Sequence, residues 1–163
     1  MPAPTRNLKL LRRCDPESAG AILAAAVPHA APDELADLCR AAVQTAQPAA
    51  IGAVLRVIHR LGPDVSARAL SETPSGLLEA AMRHVLTRPD RQTIENAIAV
   101  MARRGEPAFA HHLPDLMAPT AERDEIPVRA AEALLQITVS TIGRSGRRIA
   151  DPRAAEQLDA ALA

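Results

Sequence analysis

The chain has 163 residues, 48% hydrophobic and 23% charged, a balance that excludes an intrinsically disordered polymer and suits one globular domain whose core needs no metals or disulfides. Lys+Arg and Asp+Glu number 19 each, with eight of each in residues 1–82 and eleven of each in the remainder, so neither half is a basic arm or an acidic tail. One Phe109 is the whole aromatic complement, since Trp and Tyr are absent, and this excludes sugar platforms, methylammonium cages and base-stacking surfaces, all of which depend on flat π faces.

Fourteen prolines and seven glycines punctuate apolar stretches rich in Ala and Leu. Ala has the best helix propensity, and Pro suits the first helical turn, where its missing N–H has no partner to lose. The intervals predict helices at Thr5–Arg13, Pro16–Val27, Pro32–Ala46, Pro48–Leu61, Pro63–Ser71, Ser75–Thr87, Pro89–Arg104, Glu106–Met117, Glu125–Ile142 and Asp151–Leu162. Asp15, Thr73 or Ser75, and Asp90 stand at cap positions, and Asp33, Glu34 and Asp37 lie near a helix start, where the dipole favours acids. Gln136–Ile142 has β character in its Thr and Val residues but continues a helical run, so no strand is expected. Gly143–Arg148 reads as a loop.

About ten short helices make either a bundle or a solenoid, and internal repetition separates the two. Placing Ile51–Leu70 over Ile94–Leu113, an offset of 43, pairs Ile51 with Ile94, Leu55 with Ile98, Val57 with Val100, Ile58 with Met101, Gly62 with Gly105 and Leu70 with Leu113. An offset of 47 puts Leu8, Leu10, Leu11 and Leu23 under Leu55, Val57, Ile58 and Leu70. Such periods fall in the range of armadillo and HEAT units, about 40 to 47 residues. Within Gly105–Leu135, Leu113, Pro114, Leu116 and Met117 end a first helix, Asp124 sits in the turn, and Val128, Arg129, Ala130, Ala131, Ala133 and Leu134 open a second. On these residues the chain resembles the armadillo/HEAT superfamily. The resemblance implies an all-α, right-handed α-solenoid forming one domain over residues 1–163, with units at about 15–61, 62–104 and 105–143, and a concave surface for a protein or peptide.

Chemistry-bearing motifs are few. Cys14 and Cys39 lack the spacing of a zinc site and are expected to be reduced thiols. His111 and Asp115, four apart, would share a helix face from which His112 points away, so at most two ligands converge and neither metal nor cofactor is expected. No HExxH or Gly-rich phosphate loop occurs, and Ser145 within Gly143-Arg144-Ser145-Gly146 follows no strand, unlike the Ser of a nucleophile elbow. No catalytic residue is therefore assigned.

The repeat places Arg13, Arg60 and Arg103 at equivalent helix ends, with Arg104 beside them and Arg144, Arg147 and Arg148 one unit further on. Two readings compete. Arg forks suit carboxylate and phosphate, which makes this row an edge for an acidic peptide or nucleic-acid backbone. Cations near helix C-termini also offset the dipole without any ligand. In armadillo proteins an Asn of a unit's third helix holds an extended peptide, and Asn96 lies on such a helix, but the preceding unit has Ala53 at the equivalent position, so a solvent-facing or locally bonded Asn is expected. Asn96 and Arg103 remain candidates for an inner surface shared with Arg56 and Arg60. The expected function is thus a non-catalytic scaffold for protein or peptide binding, with polyanion binding through the Arg edge as the alternative and a HEAT-type enzyme or accessory subunit as a third reading. No secretory signal or membrane-length apolar run is visible, so a cytoplasmic location is expected. The apolar end Ala160–Ala163 lacks the polar cap of a terminal repeat. It suggests that the chain is the N-terminal part of a longer solenoid, or that its end pairs with another chain.

Overall fold

The computed structural model describes residues 11, 13–62, 66, 70–71, 73–87, 90–117 and 125–149, the last five by backbone alone. Among these residues every regular element is helical, and there are no strands. Six α-helices have bounds within the described residues: α1 Pro16–Ala26, α2 Pro32–Gln44, α3 Pro48–Val57, α4 Ser75–Val85, α5 Arg91–Arg104 and α6 Ile126–Ile149. Four 3₁₀ segments accompany them at Val27–His29, Ile58–Arg60, Pro107–His112 and Pro114–Leu116. The expected helices at Thr5–Arg13, Pro63–Ser71 and Asp151–Leu162 lie outside the described residues except at single positions, as does Asp124. The chain divides into two compact units, Met1–Val100 and Met101–Ala163.

In the first unit proline starts α1, α2 and α3 as expected. Asp15 caps α1, its carboxylate accepting from Ser18 N–H at 2.8 Å. That bond holds the Asp15 carboxyl below its usual range. Asp90 does the same for α5, accepting from Thr93 N–H at 2.7 Å and from the Thr93 hydroxyl at 3.0 Å. The expected cap on α4 is absent. Pro74 occupies its N-cap position without a side-chain bond, while Thr73 lies two residues ahead of the helix, buried, its hydroxyl unpartnered.

Helix α3 is the centre of this unit and packs against α1, α2 and α4. Ala50, Ile51, Gly52, Ala53, Val54, Leu55 and Val57 are all buried, so the helix is apolar around almost its whole circumference. Small residues let its neighbours approach: a Cβ added at Gly52 would stand 2.9 Å from Val85 Cγ1 on α4. α2 ends in a left-handed residue, Ala46 at φ 54°, and α5 in Gly105 at φ 56°, where the lack of a Cβ removes the strain.

The second unit holds Phe109, Leu113, Ile126, Ala130, Ala133 and Ile137 as its core, with α6 packed against both proline-led 3₁₀ segments. Two expectations are corrected here. Glu106–Met117 is not an α-helix. Pro107 and Pro114 remove two backbone donors, and a proline ring at 114 would collide with the carbonyl four residues back, so the segment closes i to i+3 turns instead, such as Phe109 N–H to Glu106 O and Leu113 N–H to Ala110 O. Gly143–Arg148 is not a loop, since α6 runs through it to Ile149. Each glycine costs about 1 kcal/mol in a helix interior, but no proline intervenes before Pro152 and the Thr and Val stretch ahead is helical as read.

The repeat alignment pairs positions of like burial. Ile51 and Ile94, Leu55 and Ile98, Val57 and Val100, Ile58 and Met101, and Leu70 and Leu113 are all buried. Gly62 and Gly105 differ, since only Gly105 has positive φ.

Candidate interaction surfaces

The expected basic row divides by what each guanidinium touches. In the first unit Arg60 reaches back some thirty residues to the end of α1, donating from Nη1 to Pro28 O at 3.0 Å and from Nη2 to Ala30 O at 2.6 Å. These carbonyls lie within and just after the 3₁₀ turn at Val27–His29, where a helix end leaves acceptors unsatisfied. Arg60 is therefore a clamp on a neighbouring helix terminus. Arg56 is exposed on α3, and its charge adds to the hydrogen bonds that hold Asp90 ionised. Arg13 is exposed ahead of α1.

The second unit repeats the clamp. Arg144 donates through Nη2 to Gly105 O at the C-terminus of α5, and through Nε to Ser140 O on its own helix at 3.2 Å. Arg104 is half-buried and paired with Glu106, Nη2 to Oε1 2.6 Å. Arg103 is exposed. The side chains of Arg147 and Arg148 lie outside the described residues, although both stand on α6.

Asn96 is 4% exposed and is bonded locally. Its Nδ2 donates to Leu55 O at 2.8 Å and to Arg56 O at 3.1 Å, and lies 3.0 Å from His59 Nδ1, while its Oδ1 accepts from Gln92 at 3.1 Å. Leu55 and Arg56 belong to the last turn of α3, where carbonyls have no partner within the helix. Asn96 thus supplies from α5 the C-terminal cap that α3 does not make for itself. With both Nδ2 hydrogens engaged, the amide has no donor left for an extended peptide.

His111 and His112 also differ from expectation. Although neighbours in a 3₁₀ segment start about 120° apart, the two rings turn toward each other, with centroids 3.9 Å apart. Cys39 is buried and Cys14 exposed. Burial pushes the Cys39 thiol up to about 11, against a smaller opposing pull from the Arg60 cation, so Cys39 is a core residue and no nucleophile at neutral pH.

A different surface emerges on α6. Ile126, Ala130, Ala133 and Ile137 face the core of the second unit, yet Val128, Leu135, Val139 and Ile142 are 59%, 65%, 61% and 66% exposed. Steps of seven, four and three residues hold these four within a narrow stripe at about 100° per residue, on the side opposite the buried set. Apolar side chains scattered singly on a surface are ordinary, whereas these four are aligned on one face of one helix. Sequence reading missed it because a helix apolar on two faces looks, as a string of letters, like a helix buried in a core. The signal was there in the two interleaved sets at 126/130/133/137 and 128/135/139/142.

Among the described residues no helix is long and apolar enough to cross a membrane. Compared with protein-family models, curated proteins and solved structures, the chain matches none of them.

Proposed function

We propose that this chain is a non-catalytic helical scaffold that binds a protein or peptide, built from armadillo/HEAT-like units as a right-handed α-solenoid. The observation that carries the binding role is the exposed aliphatic stripe Val128, Leu135, Val139 and Ile142 on α6. An apolar helix face that no described element covers is the half of an interface that a second amphipathic helix completes. Like burial at repeat-equivalent positions supports the repeat reading. The polyanion alternative is weakened because Arg60 and Arg144 are engaged by backbone carbonyls and Arg104 by Glu106.

Panning a displayed peptide library on the immobilised chain tests the role. The reading expects apolar helical peptides whose affinity changes little between low and high salt and falls at least tenfold on Leu135→Glu. Selection of acidic peptides whose binding collapses with salt would favour the arginine edge instead, and peptides indifferent to Leu135→Glu would overturn the assignment to α6.

A further inference from the structure

The α6 stripe has an internal symmetry that narrows the choice of partner. Val128, Leu135 and Ile142 are spaced seven residues apart with Leu135 at the midpoint. Two copies of α6 laid antiparallel about a dyad at Leu135 bring Val128 of each against Ile142 of the other and Leu135 against its own counterpart. Val139 then falls beside the partner's Ala131. The stripe therefore complements itself, as the isologous interface of a two-fold dimer requires.

Charge agrees with this direction. The acidic residues of this region, Glu125 and Glu132, stand at the N-terminal end of α6 with Arg129 between them, paired with Glu125 at 3.3 Å, and beyond Glu132 the helix carries only basic charges, at Arg144, Arg147 and Arg148. An antiparallel pair keeps the two arginine-rich C-terminal ends apart, sets each against the end that holds both acids, and opposes the two helix dipoles. A parallel pair would bring like ends together. The contact is small. Four aliphatic side chains per copy, each with about two thirds of its surface exposed, fall short of the ~800 Å² per partner of a standard stable interface, so the association is expected to be weak and concentration-dependent.

From this we infer that the α6 stripe is a homodimerisation surface, joining two copies of the chain through antiparallel α6 helices centred on Leu135. The inference rests on the proposed role of that stripe in protein binding and names its partner as a second copy.

Sedimentation equilibrium of the full chain across micromolar to millimolar concentrations tests it. The wild-type chain is expected to dimerise with a micromolar-range constant. Leu135→Glu and Val139→Glu should each weaken dimerisation at least tenfold with unchanged circular dichroism, and Leu135→Met should keep it. Direction is read by disulfide trapping in a Cys14→Ser background, where an equimolar mixture of Val128→Cys and Ile142→Cys chains should give mainly the mixed dimer. Preferential trapping of like chains would overturn the antiparallel arrangement. A wild-type chain that stays monomeric throughout, or a dimer untouched by Leu135→Glu, would overturn the inference. If the monomeric wild type still selected apolar peptides sensitive to Leu135→Glu, the binding role would stand and only the second copy would fall.

Discussion

Replacing Asn96 tests whether this residue holds the fold together or serves a ligand. In Asn96→Ala the carbonyls of Leu55 and Arg56 lose their donor, and Gln92 loses its acceptor. Leu55 is fully buried, so water cannot replace the bond to its carbonyl, and an orphaned buried acceptor costs about 1–3 kcal/mol. The Arg56 carbonyl lies nearer solvent and adds less. A total loss of about 2–3 kcal/mol is expected, a large share of the ~5–15 kcal/mol that stabilises a typical domain. Asn96→Asp keeps the shape but turns an oxygen toward both carbonyls, which raises the folded-state pKa of the new carboxyl above its unfolded value of ~3.9. Stability of that variant is then highest below ~3.9 and falls as pH rises through the higher folded value. Urea unfolding followed by far-ultraviolet circular dichroism measures both, since the chain has no Trp or Tyr to report by fluorescence. A loss under ~0.5 kcal/mol in Asn96→Ala, the size of an ordinary surface substitution, would refute the capping role, as would an Asn96→Asp variant equally stable in mild acid and at neutral pH.

Ala46→Gly should raise stability by about 0.5–1 kcal/mol, because Ala46 sits exposed at φ 54° where its Cβ is strained; an unchanged or lower melting temperature would contradict the left-handed end of α2. Gly52→Ala should lower stability by about 1 kcal/mol net, the gain in helix propensity being outweighed by overpacking against Val85, a buried β-branched residue stiff at χ1. Adding Val85→Ala should recover part of that loss in a double-mutant cycle. Cys14 should react with a thiol reagent in the folded chain while Cys39 reacts only on unfolding. Because the folded Cys39 thiol is raised to about 11, its contribution to stability is complete below the unfolded value of ~8.5 and is lost as pH climbs from there toward 11, at no more than ~1.4 kcal/mol per unit. With no Tyr and a single Lys in the chain that alkaline window is nearly free of other titrations, and Cys39→Ala should flatten it.

What could be read from the letters was local. Pro16, Pro32 and Pro48 fix where three helices begin because a proline ring sets φ and needs no donor at that point, and Asp15 and Asp90 announce their caps by standing three residues before the N–H they accept. The same letters misled where two signals conflicted. At Glu106–Met117 the apolar spacing argues for an α-helix while prolines seven residues apart forbid one, and sterics prevail. At Gly143–Arg148 two glycines look like breakers, yet each costs too little to stop a helix already propagating. The surfaces were harder to read because their partners are distant in sequence. Arg60 and Asn96 were singled out by type and position, but that each grips a carbonyl thirty to forty residues away follows only from how helices pack. The exposed row on α6 was visible as spacing, while its exposure depends on how the described elements pack.

The enclosure of α3 on nearly every side has a kinetic corollary. Amides from Ile51 to Leu55 cannot reach solvent by fraying of a single neighbour, because three flanking helices and the Asn96 cap must all let go. Their deuterium uptake should follow collective opening of the first unit, setting an upper bound on exchange lifetimes there, while the outer helices trade protons through smaller and faster excursions.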